Sequence, residues 1–368
     1  MEIKMPIREE SFRIGCGRYI QGQNYISRCG DEVKRLATSP MIIGDDTTLE
    51  ITRDKLKASI SPVCNNYEFI VHNGTCNDER AKELAEYAHS RGYDVIIGVG
   101  GGVLMDFAKL CAYFAELPVI NIPTSSATCA ANAPLSVRYT PDGRTVGAKH
   151  YEREVNAVIA DTAIIGAQPI RLLLSGVFDA LAKFVEIKQR FTGDISGEYP
   201  MGLDYAYAMS KHSYELLNLK TVKCISDMEK GEISSDVENV IFTTIAATGV
   251  ISGIARGSNQ CAIAHKFYET TRSLFRESSK PYLHGEIVGV GLILQNCFNG
   301  EEENNAALTE LMKKHGMPYR ISDIGIDGSE ETFEAYFKLI CESSAINDED
   351  SAEVEKFRES LKYLWRIK

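Results

Sequence analysis

Up to about residue 165 the chain alternates short apolar, β-branched runs with longer stretches in which apolar residues recur every three or four positions, the pattern of βαβ units. The runs predict strands at 40–45 (PMIIGD), 67–72 (YEFIVH), 94–99 (DVIIGV) and 118–123 (PVINIP), with a fifth at 155–160 (VNAVIA). Between the second and third, Ala81, Leu84, Ala85 and Ala88 share one face of a helix predicted over 78–90. Runs that are apolar throughout, rather than alternating, belong to a parallel sheet covered on both faces. From Gln168 onward the pattern changes: amphipathic segments at 171–188, 204–217 and 237–255 follow one another without an intervening strand. The spacing therefore predicts a Rossmann-like α/β domain over 1–165 and an all-helical domain over 166–368, with 193–202 (GDISGEYPMG) as a loop in the second part. The change falls near 164–169, where Gln168-Pro169 opens a helix.

Composition narrows the function classes. With 368 residues, 44% hydrophobic and 25% charged, the chain has the size and composition of two ordinary globular domains. A net charge of -11 argues against a broad phosphate-backbone face, so nucleic acid is discounted as a partner. The first fifteen residues scatter charges and hold no apolar core, unlike a secretory signal. The most apolar stretch, 241–254, is shorter than the roughly 20 residues a spanning helix needs, so no membrane partner is expected. Ten cysteines without a C-x-x-C pair suit reduced thiols, and a cytoplasmic enzyme acting on a small molecule is the expectation.

Candidate chemistry begins at GVGGGVLMDFAK, 98–109, where Gly100, Gly101 and Gly102 stand between a strand and a helix. Three glycines let a backbone approach a pyrophosphate, and free N–H groups at a helix start favour an anion. The spacing is neither G-x-G-x-x-G nor a P-loop, and the same glycines would also serve a tight turn alone. After the next strand, PTSSATC at 123–129 puts small hydroxyl residues where open α/β sheets bind ligands. At the end of the 40–45 strand, Asp45 or Asp46 could bond a ribose 2′-hydroxyl and so favour NAD over NADP, or could simply cap the helix that follows. Asp179 lies in an apolar helical run with Lys183 one turn on, and an i, i+4 ion pair accounts for both. His265 and His284 are each compatible with a structural role. Together with Asp179 they make three donors with an open position, as catalytic Zn²⁺ or non-haem Fe²⁺ requires, although they form no local motif.

In order along the chain, GVGGGVLMDFAK, INIPTSSATCAANAPLSVRY at 120–139, GVFDALAKFVE at 176–186, and IAH followed by LHGE within 263–286 resemble the iron-containing alcohol dehydrogenase superfamily, specifically its glycerol dehydrogenase-like branch. The resemblance implies a nucleotide-binding α/β domain, a helical domain of the dehydroquinate synthase-like kind, and an active site in the cleft between them. It implies that Gly100, Gly101, Gly102 and Asp106 meet the cofactor diphosphate, that Thr124, Thr128, Leu135 and Tyr139 line the nicotinamide and ribose, and that Asp179, His265 and His284 hold the metal. No catalytic side chain beyond those ligands is implied. Lys183 stands where the iron-using branch has an additional histidine, and Glu269 where some relatives have another, which favours zinc over iron with Mn²⁺ open. Cys129 replaces an aspartate that binds a substrate hydroxyl in glycerol dehydrogenases. Thr128-Cys129 with Lys183 is instead similar to hydroxycarboxylate dehydrogenases, which reduce 2-oxo acids, with Lys183 or Arg138 expected to neutralise a substrate carboxylate. Relatives form dimers or rings, so a homo-oligomer is expected. The implied function is a metal-dependent NAD(P) oxidoreductase interconverting a small alcohol or hydroxy acid and its carbonyl compound. The alternatives are a dehydroquinate synthase-like cyclase, which needs a basic cluster for a substrate phosphonate or phosphate where the cleft segments supply only Arg138, Lys183 and Lys266, and a non-catalytic nucleotide-binding or scaffold protein.

Overall fold

The computed structural model describes residues 12–367; residues 1–11, most of the N-terminal segment read above for a leader, lie outside the described residues. The chain divides into two compact units, one joining Arg13–Pro169 to Lys220–Gly253, the other joining Ile170–Leu219 to the residues from Ile254 onward.

In the first unit the strands are β1 (Tyr19–Gly22), β2 (Pro40–Gly44), β3 (Glu68–Val71), β4 (Val95–Gly100), β5 (Val119–Pro123), β6 (Leu135–Tyr139), β7 (Thr145–His150) and β8 (Ala157–Asp161). Six of them form one sheet in the order β1-β8-β5-β4-β2-β3, parallel at every pairing. The five strands expected from apolar runs are β2, β3, β4, β5 and β8. The pattern passed over β1, which is half-buried throughout, and the antiparallel hairpin β6–β7, whose second strand is mostly exposed and lacks an apolar run. Helices α1 (Cys29–Leu36), α2 (Asp46–Ile60), α3 (Asp78–Arg91), α4 (Gly102–Phe114) and α5 (Thr162–Ile165) complete the βαβ connections. Ile42, Ile97, Val99, Ile120, Ile122 and Ile159 of the sheet pack with Val33 of α1 and Leu49, Leu56 and Ile60 of α2. Each such side chain contributes about 1.5–3 kcal/mol on full burial.

The strand order creates a switch point. From β2 the chain leaves toward β3 and from β4 toward β5, on opposite sides, while β2 and β4 lie adjacent with Gly44 beside Val99. The carboxyl ends of these two strands therefore frame the crevice in which open α/β sheets bind ligands.

The helical part comprises α6 (Ile170–Arg190), α7 (Leu203–Glu229), α8 (Ser235–Phe242), α9 (Thr248–Ala255), α10 (Ile263–Leu274), α11 (Arg276–Ser279), α12 (His284–Asn299), α13 (Asn304–Lys314), α14 (Glu330–Cys341) and α15 (Ser351–Trp365). Sequence patterning assigns everything after residue 165 to one helical domain, whereas Lys220–Gly253 groups with the sheet. The reason is a tertiary contact. Between α8 and α9, Thr243–Ala247 form a π turn, and Asn132 from the sheet unit donates its Nδ2 to Ala246 O at 2.9 Å while its Oδ1 accepts Cys16 N at 2.8 Å. The π turn also makes Ser235–Ala255 one continuous helix of 21 residues with mean hydropathy 1.5, longer than the apolar stretch read from sequence. Length and composition alone would let it cross a membrane, yet 56% of its apolar window is buried within the chain, as in a core helix.

Candidate active site

The second unit brings one carboxylate and two imidazoles together from three helices. Asp179 lies in the middle of α6, His265 in the first turn of α10, and His284 is the first residue of α12. Among the described residues these three form the one group of His, Cys or carboxylate side chains able to share a metal ion, with ligand atoms all within 4.8 Å of one another. Glycine at 285 permits this approach: a Cβ there would lie 1.8 Å from Ser175 O of α6. Asp179 Oδ1 stands 3.4 Å from His265 Nε2 and 3.6 Å from His284 Nε2. The edge of a tetrahedron with bonds of about 2.1 Å is about 3.4 Å, so the set has the span of a zinc-sized site.

The polar atoms also point to a cation. Asp179 is buried, at 4% exposure, and its Oδ1 makes no well-formed hydrogen bond. His265 Nδ1 lies 2.5 Å from Glu186 Oε2, and a carboxylate only accepts, so a ring proton is assigned to Nδ1, which leaves Nε2 as the nitrogen a metal would take. A carboxylate oxygen and a ring nitrogen facing each other at 3.4 Å need a positive charge with them, whether a second proton on the ring or a cation. Part of that charge comes from Lys183, also 4% exposed, whose Nζ is 3.4 Å from both Asp179 Oδ1 and His265 Nε2. Burial by itself would raise the Asp179 carboxyl, but Lys183 and the two histidines outweigh it and hold it well below the usual carboxylate range. Burial opposes a charge on His265 too, yet Cys261 and Glu186 push that imidazole well above its usual value. His284 is lowered, burial outweighing Asp179.

Each histidine is braced. Glu186, on the same face of α6 as Asp179 and Lys183, accepts Ala262 N at 2.7 Å and His265 N at 2.9 Å on its second oxygen. At the start of α12, Arg171 binds both oxygens of Glu286 at 2.7 Å, and Glu286 accepts Leu283 N at 2.7 Å. Tyr268 packs edge-on against the His284 ring, centroids 4.3 Å apart. The His284 side chain is 28% exposed, which leaves one side of the set open.

The sheet unit holds the expected nucleotide residues. The glycine turn joins β4 directly to α4: Gly100 has φ +146, a conformation side chains avoid, and a Cβ on Gly102 would lie 2.8 Å from Thr128 Oγ1. The turn and the 124–129 loop thus touch, and Thr124 N bonds Gly100 O at 3.0 Å. Thr124, Thr128 and Cys129 in the loop, and Leu135 and Tyr139 on β6, are half-buried, and the 13-residue helix α4 starts at Gly102 beside Thr128.

Two expectations need correction. Asp106 is not presented to a diphosphate: its carboxylate is buried, pairs with Lys109 at 2.8 Å and accepts Val137 N at 2.9 Å. Arg138 is committed to Asp78 at 2.9 Å and does not stand ready for a substrate carboxylate. Asp45, at the carboxyl end of β2, caps α2 by accepting Thr48 N on Oδ1 at 2.7 Å, a bond that does not use its other carboxylate oxygen. Sequence reasoning missed Glu186 and Lys109. Lys109 Nζ, buried beneath the loop, donates to Ala130 O at 2.7 Å, Ala133 O at 2.9 Å and Leu135 O. The spacing of Asp179, Lys183 and Glu186 at i, i+4 and i+7 signals one shared helix face, and it could have flagged Glu186.

Residues 16–162 match the family described as iron-containing alcohol dehydrogenase. The chain is 29% identical over 318 residues to a glycerol dehydrogenase of Thermotoga maritima, covering 85% of this chain and 84% of that protein. It is 30% identical over 264 residues to hydroxycarboxylate dehydrogenase A of Escherichia coli, covering 70% of each. A crystal structure of a probable glycerol dehydrogenase from Sinorhizobium meliloti superposes with TM-score 0.81 at 23% identity, over 96% of this chain and 98% of that one.

Proposed function

The chain belongs to the iron-containing alcohol dehydrogenase family, and from that premise we propose that Asp179, His265 and His284 hold its divalent metal and that its substrate is a small 2-oxo acid or the matching 2-hydroxy acid. The coarser function follows from the relatives: the chain is an oxidoreductase acting between alcohol and carbonyl compounds with NAD(P) and a divalent metal. A metal bound there supplies Lewis acidity toward the substrate oxygen, and the nicotinamide gives or takes hydride.

The chain's own groups divide the remaining work. Asp179 Oδ1 and the two Nε2 atoms supply the donor set, and one carboxylate with two imidazoles suits zinc. Lys183 adds a fixed positive charge beside that set. Gly100, Gly101 and Gly102 with the α4 N-terminus cradle the diphosphate. Thr124, Thr128, Leu135 and Tyr139 line the nicotinamide and ribose, and Asp45 favours NAD through the ribose hydroxyls.

The observation that carries the substrate assignment is the buried Lys183 ammonium, 3.4 Å from two donor atoms of the set. A neutral polyol has no use for a buried cation there, whereas the carboxylate of a 2-oxo acid, adjacent to its carbonyl, pairs with it. Cys129 in the nucleotide-side loop supports the same choice, being unable to bind a polyol hydroxyl as a carboxylate does. The relative named for hydroxycarboxylates agrees. A cyclase acting on a phosphate-bearing substrate fits poorly, because Arg138 pairs with Asp78 and Lys266 with Glu269.

The test is nicotinamide absorbance on metal-replete and chelated protein with 2-oxo acids, simple aldehydes and glycerol. Chelator-sensitive turnover that prefers 2-oxo acids is expected. Lys183→Met should raise KM for them about tenfold to a hundredfold, the worth of a hydrogen bond to a charged group, without a matching loss on aldehydes. Preference for glycerol, or a Lys183→Met enzyme that keeps its 2-oxo acid KM, would overturn the assignment.

A further inference from the structure

Glu186 is a fully buried carboxylate, at 0% exposure, with no part in the ligand set. Its Oε1 accepts the backbone N–H of Ala262 at 2.7 Å and of His265 at 2.9 Å, and its Oε2 lies 2.5 Å from His265 Nδ1. Burying an ionised group is expensive unless it is well paired, and here every pairing converges on the first turn of α10. The carboxylate grips the backbone of His265 and its ring together, so neither ring position nor ring orientation can drift while the other holds.

We infer that Glu186 is a positioning residue that selects the Nδ1–H tautomer of His265 and so sets the affinity of the metal site; the inference rests on the metal assignment proposed above. A carboxylate offers acceptors only, so the ring can meet it only with a proton on Nδ1, and once the ring is neutral its Nε2 lone pair is aimed at the space shared with Asp179 and His284. Glutamine in its place reverses this logic at nearly constant volume. Its single carbonyl oxygen is needed by the two backbone N–H groups, so its amide N–H groups face Nδ1. The ring then has to accept at Nδ1 and carry its proton on Nε2, where it blocks a metal. Flipping the amide would set two N–H donors against two others, so the flip offers no escape.

The experiment measures zinc affinity of the full-length, metal-stripped protein by competition with a chromophoric chelator, for wild type and Glu186→Gln, beside the thermal midpoint of each metal-free form. A loss of about 10–100-fold in affinity is expected for Glu186→Gln. A purely structural role would lower the midpoint and leave zinc affinity unchanged, and that result overturns the inference while leaving the metal assignment standing. A wild-type protein that binds no zinc removes the metal assignment and this inference with it. Should Glu186→Gln not fold, histidine-selective ¹⁵N spectra of zinc-loaded wild type decide: His265 bound through Nε2 with a retained Nδ1 proton supports the assignment, and binding through Nδ1 refutes it.

Discussion

Replacing Lys109 by Met tests whether one buried ammonium holds the proposed nucleotide pocket together. The Lys109 side chain is 2% exposed, and its Nζ serves Asp106 Oδ1 at 2.8 Å as well as the carbonyls of Ala130, Ala133 and Leu135. Methionine matches the shape of the stem and removes every donor. Breaking a buried ion pair by deleting one partner costs about 3–5 kcal/mol. Burial already pushes the Asp106 carboxyl up against the pull of Lys109, so without Lys109 it takes a proton rather than remain a bare charge. The loss should therefore settle near about 3 kcal/mol, with the three carbonyls each forfeiting a bond worth about 1 kcal/mol net. Asp106→Asn with Lys109→Met should recover part of it, since the amide oxygen can still accept Val137 N without a charge to bury. Urea unfolding followed by far-UV circular dichroism is the assay. The single tryptophan, Trp365, lies in the helical unit and does not report the sheet. NADH fluorescence titration supplies the second readout, and affinity should fall as the 130–135 segment loosens beside Thr128. A Lys109→Met loss below about 1 kcal/mol, the worth of one ordinary hydrogen bond, or a double variant that simply adds the two single losses, would refute the reasoning.

His265→Ala and His284→Ala should each cost more zinc affinity, read by metal analysis after dialysis, than the roughly 10–100-fold of a group behind a ligand. Gly102→Ala should weaken NADH binding, because its Cβ would meet Thr128 Oγ1 at 2.8 Å; an overpacking cost of about 1–3 kcal/mol is the scale, read in the same titration. Asp45→Ala should lose about 0.5–2 kcal/mol from its helix cap and narrow any preference for NAD over NADP in steady-state kinetics. Because the metal-free His265 imidazole is raised well above its usual value, zinc must expel a proton on binding. Affinity should then rise by about tenfold per pH unit below that raised value, measured by chelator competition across the neutral range, and a flat profile would contradict the sign.

The parallel sheet was legible because β2, β4, β5 and β8 are apolar on both faces, a local property of short segments. The glycine turn was legible for the same reason, since the need for Gly100 at φ +146 is met within a few residues of chain. Strand β1 and the β6–β7 hairpin escaped because YIQG, LSVRY and TVGAKH break their apolar residues with polar ones or glycine, whereas the equally half-buried β3 keeps the run FIV. In the site, Asp179, His265 and His284 stood out by chemistry and resemblance. Asp106 and Arg138 were placed wrongly by the same route: their partners, Lys109 with the Val137 N–H and Asp78, decide what each does, and no spacing announces the pairing of Arg138 with Asp78.

By itself the sequence determined the elements, the point at which sheet gives way to helix along the chain, the glycine-rich turn, and the donor types available for a metal. Periodicity and steric demand act over a turn or two, so these can be read from neighbours. Only the tertiary structure decided which carboxylate stands behind His265, that Lys183 sits among the donor atoms, that Lys109 pins the loop, and that residues 220–253 belong with the sheet. Each of these is a contact between segments far apart in sequence. Such contacts depend on how helices such as α6, α10 and α12 pack, which is settled by the burial of whole faces rather than by any residue's neighbours.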